Sequence, residues 1–155
     1  MIQFDDLLIP EALSVGVAVS NKKQLFQRIA DVAASAYEMD AGDVLDRLTE
    51  RERLGSTGFG GGIAIPHAKL EGIDQVRGIV LLLSQPLAFE AVDEMPVDVV
   101  FALLSPADSG AEHLKTLARV SRFLRNEAQV ARLRGVGSAA ALHALLAGTE
   151  TRDAA

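Results

Sequence analysis

"GSTGFGGGIAIPHAKL", residues 55–70, places five glycines within residues 55–62 and then a small apolar run that ends in Pro66-His67. Pro66 fixes its own φ and pushes Ile65 toward extended conformations, so His67 is presented from a stiffened backbone behind a flexible loop. Backbone N–H groups in glycine-rich loops suit anions. A turn histidine after a flexible connection accounts for the stretch equally well. The loop lacks the lysine and spacing of a Walker A motif, and its place before "IAIPH" does not fit a dinucleotide fingerprint.

Upstream of the loop, "SVGVAV" (14–19) reads as a short strand, and Ser20 as the cap of an amphipathic helix over "NKKQLFQRIADVAASAYE". Leu25, Ile29, Val32, Ala33 and Ala36 share one face of that helix. Asp40 can cap a second helix running through Val44, Leu45 and Leu48 to about Leu54, with Gly55 in the terminating place. Downstream, "RGIVLLL" (77–83) and "VDVVFALL" (97–104) read as strands buried on both faces. "SPADSG" breaks the chain before a helix over about 111–125, and "NEAQVARL" and "SAAALHALL" read as two shorter helices. Alternating strands and helices predict one α/β domain, a sheet covered by helices, over residues 1–155, with a loose C-terminal tail.

Composition narrows the function classes. Hydrophobic residues make up 49% of the 155, yet the longest apolar runs fall far short of the roughly 20 needed to cross a bilayer. The N-terminal "MIQFDDLLIP" has no basic region before an apolar stretch, so a cytoplasmic protein without membrane insertion is expected. The absence of cysteine removes disulfides, thiolate metal sites and thiol catalysis. A net charge of -6 argues against nucleic-acid binding and toward protein or small-molecule partners.

Two further residues stand out by angular position. At 100° per residue, Arg51 shares a face with Val44 and Leu48, whereas Arg53 points away. Arg51 therefore leans inward just before the loop, placed either to hold a phosphate or carboxylate or to cap the last carbonyls of its helix. His113 falls with Leu117, Val120 and Leu124 on the apolar face of a later helix. It is expected inside, either as part of a site or satisfied by a backbone carbonyl. His143 lies off its apolar stripe and reads as a boundary residue. The acidic stretch "FEAVDEMPVD", with Glu90, Asp93, Glu94 and Asp98, reads as a solvated turn, and no metal is assigned to it.

Taken together, "RERLGSTGFGGGIAIPHAKL", "PLAFEAVDEMPVDVVFALLSPAD" and "EHLKTLARV" resemble the enzyme IIA proteins of the bacterial phosphoenolpyruvate-dependent phosphotransferase system. The likeness is to the fructose and mannitol type, in particular its nitrogen-regulatory members, and runs from about Asp6 to Leu146. It implies a mixed β-sheet flanked by helices, the mannitol-type fold. It also implies that His67 is the phosphorylated histidine, with Arg51 beside the phosphate and His113 the second active-site histidine. Gly61 stands where the family commonly has asparagine, and Ala68 where it commonly has glycine.

By the same resemblance, the His67 imidazole attacks the phosphoryl group of a histidine phosphocarrier protein, with no metal or other cofactor. Arg51, bare loop amides and the hydroxyls of Ser56 or Thr57 are the expected phosphate donors, and His113 orients or neutralises the oxygens. Regulatory target proteins are the expected readers of the phosphorylated state. The alternative is a sugar-specific component that passes phosphate to a separate IIB protein. An interaction module that is no longer phosphorylated is a third possibility. A metal-dependent hydrolase is the least supported, because two histidines without suitably spaced carboxylates make a poor site.

Overall fold

The two apolar runs form the central antiparallel pair of the sheet, β5 (Arg77–Leu87) and β6 (Val97–Pro106), in a computed structural model that describes residues 4–147. The expected loose C-terminal tail lies outside the described residues. The remaining strands are β1 (Leu13–Val17), β2 (Gly58–Gly60), β3 (Ile63–Ala64) and β4 (His67–Leu70). The sheet is mixed, in the order β1-β5-β6-β3-β2, and β4 also pairs with β6. β1 runs parallel to β5, while β3 and β4 run parallel to β6.

Helices cover both faces in a single domain. Along β6, Val100, Ala102 and Leu104 pack with α1 (Lys22–Tyr37) and α2 (Ala41–Arg53), whereas Val99, Phe101 and Leu103 face the opposite core. That second core is closed by α3 (Gly110–Leu124), α4 (Glu127–Gly135) and α5 (Ala139–Ala147). Ile79, Leu81, Leu103 and Leu104 are all fully buried, and each contributes about 1.5–3 kcal/mol of transfer free energy. Among the described residues, no helix is long and apolar enough to cross a membrane.

Several sequence expectations shift. The cap of α1 is Asn21 rather than Ser20: the Asn21 side chain accepts the Gln24 N–H at 2.8 Å, and the Ser20 N–H donates back to Gln24 Oε1. The buried face of α1 is wider than expected: it adds Phe26 and Ala30 to Leu25, Ile29 and Ala33, with Val32 and Ala36 half-buried against the same core, because α2 packs beside the helix as well as the sheet beneath. Strands β5 and β6 extend past the apolar runs, and Ser105 and Pro106 belong to β6 rather than to the break after it.

The largest correction concerns the glycine loop, which is a small hairpin, β2 against β3, and not an open flexible connection. An added Cβ at Gly58 would stand 2.6 Å from the Ala91 backbone, so only glycine allows that approach. Gly61, at the turn, has φ 66, the left-handed region that glycine and asparagine adopt with least strain. β3 and β4 keep one register against β6, so they form a single strand interrupted at Ile65-Pro66; β2 covers it along β3, and from Pro66 onward its outer side is a sheet edge. An edge is where a residue without an N–H is tolerated. The Pro66 carbonyl still accepts the Leu103 N–H at 2.9 Å, which fixes His67 as the first residue of β4.

Candidate functional site

Three sequence-selected side chains meet at that edge. Arg51, in the last turn of α2, donates from Nε to Nε2 of His67 at 3.2 Å. Its Nη1 also donates to the carbonyl of Gly55, just beyond the C-terminal end of α2, at 2.9 Å, so the guanidinium leans inward as expected and bridges His67 to the start of the glycine segment. His113, in the first turn of α3, brings its ring to 5.5 Å from that of His67, centroid to centroid, with a 45° tilt. Arg51, His67 and His113 share a shallow hollow of about 410 Å³, and a second of about 590 Å³ opens on the other side of Arg51 and His67.

The two imidazoles are held differently. Nδ1 of His67 lies 2.8 Å from the Ile65 carbonyl, which can only accept, so Nδ1 carries the hydrogen and Nε2 keeps its lone pair in the neutral ring. Burial is the main cause holding the His67 imidazole below its ordinary pKa of 6.5. The Ile65 hydrogen bond acts in the opposite sense, and the Arg51 charge reinforces burial. His113 is also lowered, first by burial and then by His67 and Lys69. Its partner is not the expected backbone carbonyl but the Ser105 hydroxyl, 2.7 Å from Nδ1.

Ser56 and Thr57 line the 590 Å³ hollow with His67, but their hydrogen bonds are already in use. The Thr57 hydroxyl donates to Glu52 Oε1 at 2.6 Å, and the Ser56 hydroxyl to the Phe89 carbonyl at 3.3 Å. The expectation of bare loop amides is corrected in the same way. Thr57 N–H donates to Glu52 of α2, Gly58 N–H to Ser56 Oγ and Gly61 N–H to Asp93 of the segment between β5 and β6, so side chains packed around the hairpin take up these donors. The acidic stretch is likewise engaged: Asp93 accepts from Gly61, and Asp98 pairs with Arg134 at 2.8 Å. His143 is partly exposed, as a boundary residue should be.

Sequence reasoning missed Glu52, Ser105 and Arg125. Arg125, stacked 5.7 Å from the Phe59 ring centroid, forms part of the wall of the larger hollow. No periodicity marks these residues, since each acts through a contact that exists only once distant elements are packed. The nearest signal is for Glu52, an acid at a helix end with Thr57 shortly beyond it.

Comparison with known proteins agrees with this architecture. A family model described as "Phosphoenolpyruvate-dependent sugar phosphotransferase system, EIIA 2" matches residues 6–148. A Bradyrhizobium diazoefficiens protein named "Nitrogen regulatory protein" is 42% identical over 142 residues, 92% of this chain and 93% of its own. The structure of nitrogen regulatory protein IIA-Ntr from Neisseria meningitidis superposes with a TM-score of 0.85 at 32% identity, covering 91% of this chain and 97% of that one. The fold is shared as well with mannitol IIA from Escherichia coli, with a TM-score of 0.76 at 18% identity over 90% of this chain and 99% of that one.

Proposed function

This chain belongs to the phosphoenolpyruvate-dependent sugar phosphotransferase system EIIA 2 family, and we propose from that premise that it is a phosphohistidine relay and regulatory protein whose acceptor atom is Nε2 of His67. The observation that carries the assignment is the Ile65 carbonyl on Nδ1, which leaves the opposite nitrogen as the lone pair. The depressed basicity of the ring keeps that lone pair unprotonated at neutral pH. The donor is a phosphohistidine on a carrier protein in the cytoplasm. The Nε2–P bond forms as the carrier's N–P bond breaks, the carrier imidazole leaves with the electron pair, and the His67 Nδ1–H stays on Ile65.

Arg51 gives up its bond to Nε2 as the phosphoryl group arrives and turns its guanidinium onto the phosphoryl oxygens, stabilising charge in a loose transition state. His113 supplies a second donor from the other side. Ser56 and Thr57 are candidate phosphate contacts, but each would first have to exchange its present bond. Phosphorylation adds roughly -1.5 to -2 charges, if a phosphohistidine carries what the hydroxyl phosphoesters do, and so changes the face that target proteins meet. The relative named a nitrogen regulatory protein supports this regulatory role over sugar uptake.

Intact mass after incubation with phosphoenolpyruvate, enzyme I and the phosphocarrier tests the proposal. One acid-labile phosphoryl group is expected on the wild type and none on His67→Ala, while His113→Ala slows uptake without moving it. Label on His113 or His143 of the wild type would refute the acceptor assignment.

A further inference from the structure

We propose that Ser105 is a positioning residue for phosphoryl transfer: its hydroxyl donates to Nδ1 of His113 and so fixes the imidazole as the neutral tautomer whose Nε2–H faces the acceptor site. The inference deepens the phosphotransfer proposal and rests on it for its kinetic consequence. Ser105 is fully buried in β6, and His113 Nδ1, at 2.7 Å, is the hydrogen-bond partner its hydroxyl has. A buried hydroxyl whose proton meets no acceptor costs about 1–3 kcal/mol. The proton therefore goes to Nδ1, which must present its lone pair.

The hydrogen of the neutral His113 ring then sits on Nε2, at the ring edge away from Ser105. Among the described residues, no side-chain nitrogen or oxygen is both buried and without a hydrogen-bond partner. Among the described residues Nε2 has no hydrogen-bond partner, so it is not buried, and the hollow that His113 lines with His67 is the space it has to open onto. The other charged groups of that hollow are Arg47, Glu50 and Arg51 from α2 and Lys69 from β4. Protonating Nδ1 would set two donors against each other across the Ser105 contact, so the hydroxyl also holds the ring neutral, in the same direction as burial. An N–H aimed at the phosphoryl oxygens before they arrive needs no reorganisation during transfer.

The order of elements explains why only the packed chain shows this pair. Ser105 and His113 lie eight residues apart, on β6 and α3, and the turn between them folds the helix back over the strand end. Ser109 fixes that turn by donating its hydroxyl to the Pro106 carbonyl at 2.6 Å.

Imidazole 15N spectra of the unphosphorylated protein, with initial rates of phosphoryl uptake from the phosphocarrier, test the inference. In the wild type the His113 signals are expected to show Nε2 protonated and Nδ1 bare. In Ser105→Ala the two tautomers should mix, and uptake should slow about tenfold with little change in half-saturating carrier, as expected when one donor loses its orientation. Ser105→Thr, which keeps the hydroxyl, should restore the wild-type tautomer. A protonated Nδ1 in the wild type, or an unchanged tautomer and rate in Ser105→Ala, would overturn the inference. A wild type that takes up no phosphoryl group would instead refute the acceptor assignment, and the tautomer spectra would still decide the role of Ser105.

Discussion

Arg51 and Glu52 are neighbours in the last turn of α2, yet their side chains enter opposite kinds of environment. The Glu52 carboxylate is saturated: it accepts from the Thr57 amide and hydroxyl and from Lys22 Nζ at 2.8 Å, and Lys22 also lies 4.2 Å over the Phe89 ring. These contacts join α1, α2 and the hairpin. Among the described residues His67 Nε2 has one partner, Arg51 at 3.2 Å, and the ring lines two open hollows. One polar cluster has every lone pair committed, and the other keeps a lone pair behind a single bond that can be exchanged. On the proposed function, the difference is that between a structural latch and a site prepared for a ligand.

The comparison breaks most visibly at Arg51. Arg51→Ala should slow phosphoryl uptake about 100-fold, the usual loss when one charge-stabilising donor is removed, while leaving unfolding in urea nearly unchanged. Comparable losses of stability and rate would mean that Arg51 belongs to the scaffold. Glu52→Ala should behave in the opposite way. It strands the buried Thr57 donors and costs about 2 kcal/mol of unfolding free energy, read as a lower urea midpoint, while protein that remains folded still accepts phosphate on His67. An intact midpoint would remove the latch from the account.

The smallest effect is on pH dependence. His67 and His113 both have folded-state values below 6.5, so the unfolded chain binds protons that the folded chain refuses. Their contribution to stability is complete above pH 6.5 and declines as the pH falls below it. The melting temperature should therefore drop between pH 7.5 and 5.5, and less so in a His67→Ala, His113→Ala double variant. Equal drops would show that neither imidazole is held neutral by the fold.

What could be read in advance follows the range of each interaction. The face carrying Arg51 and the inward turn of His113 are local consequences of helical periodicity, and both hold in the structure. The paired central strands were legible because Ile79 to Leu82 and Val99 to Leu104 are buried on both faces and so lose the polar alternation of a half-exposed strand. The glycine segment reads as open in the sequence because its closure depends on Ala91 and Asp93, more than thirty residues away. Ser105 reads as part of a chain break because "SPADSG" has turn composition, whereas its β6 position and its contact with His113 are tertiary. Capping was legible to within one residue, since Ser20 and Asn21 are both good caps and only the backbone conformation chooses between them.

The most direct test of the central claim is the position of the phosphorus atom on the ring, read from phosphorus–nitrogen couplings in 15N-labelled protein phosphorylated through the carrier. The expected result is coupling to Nε2 of His67, with Nδ1 still protonated and bonded to the Ile65 carbonyl. Coupling to Nδ1 of His67, or to either nitrogen of His113, would contradict it.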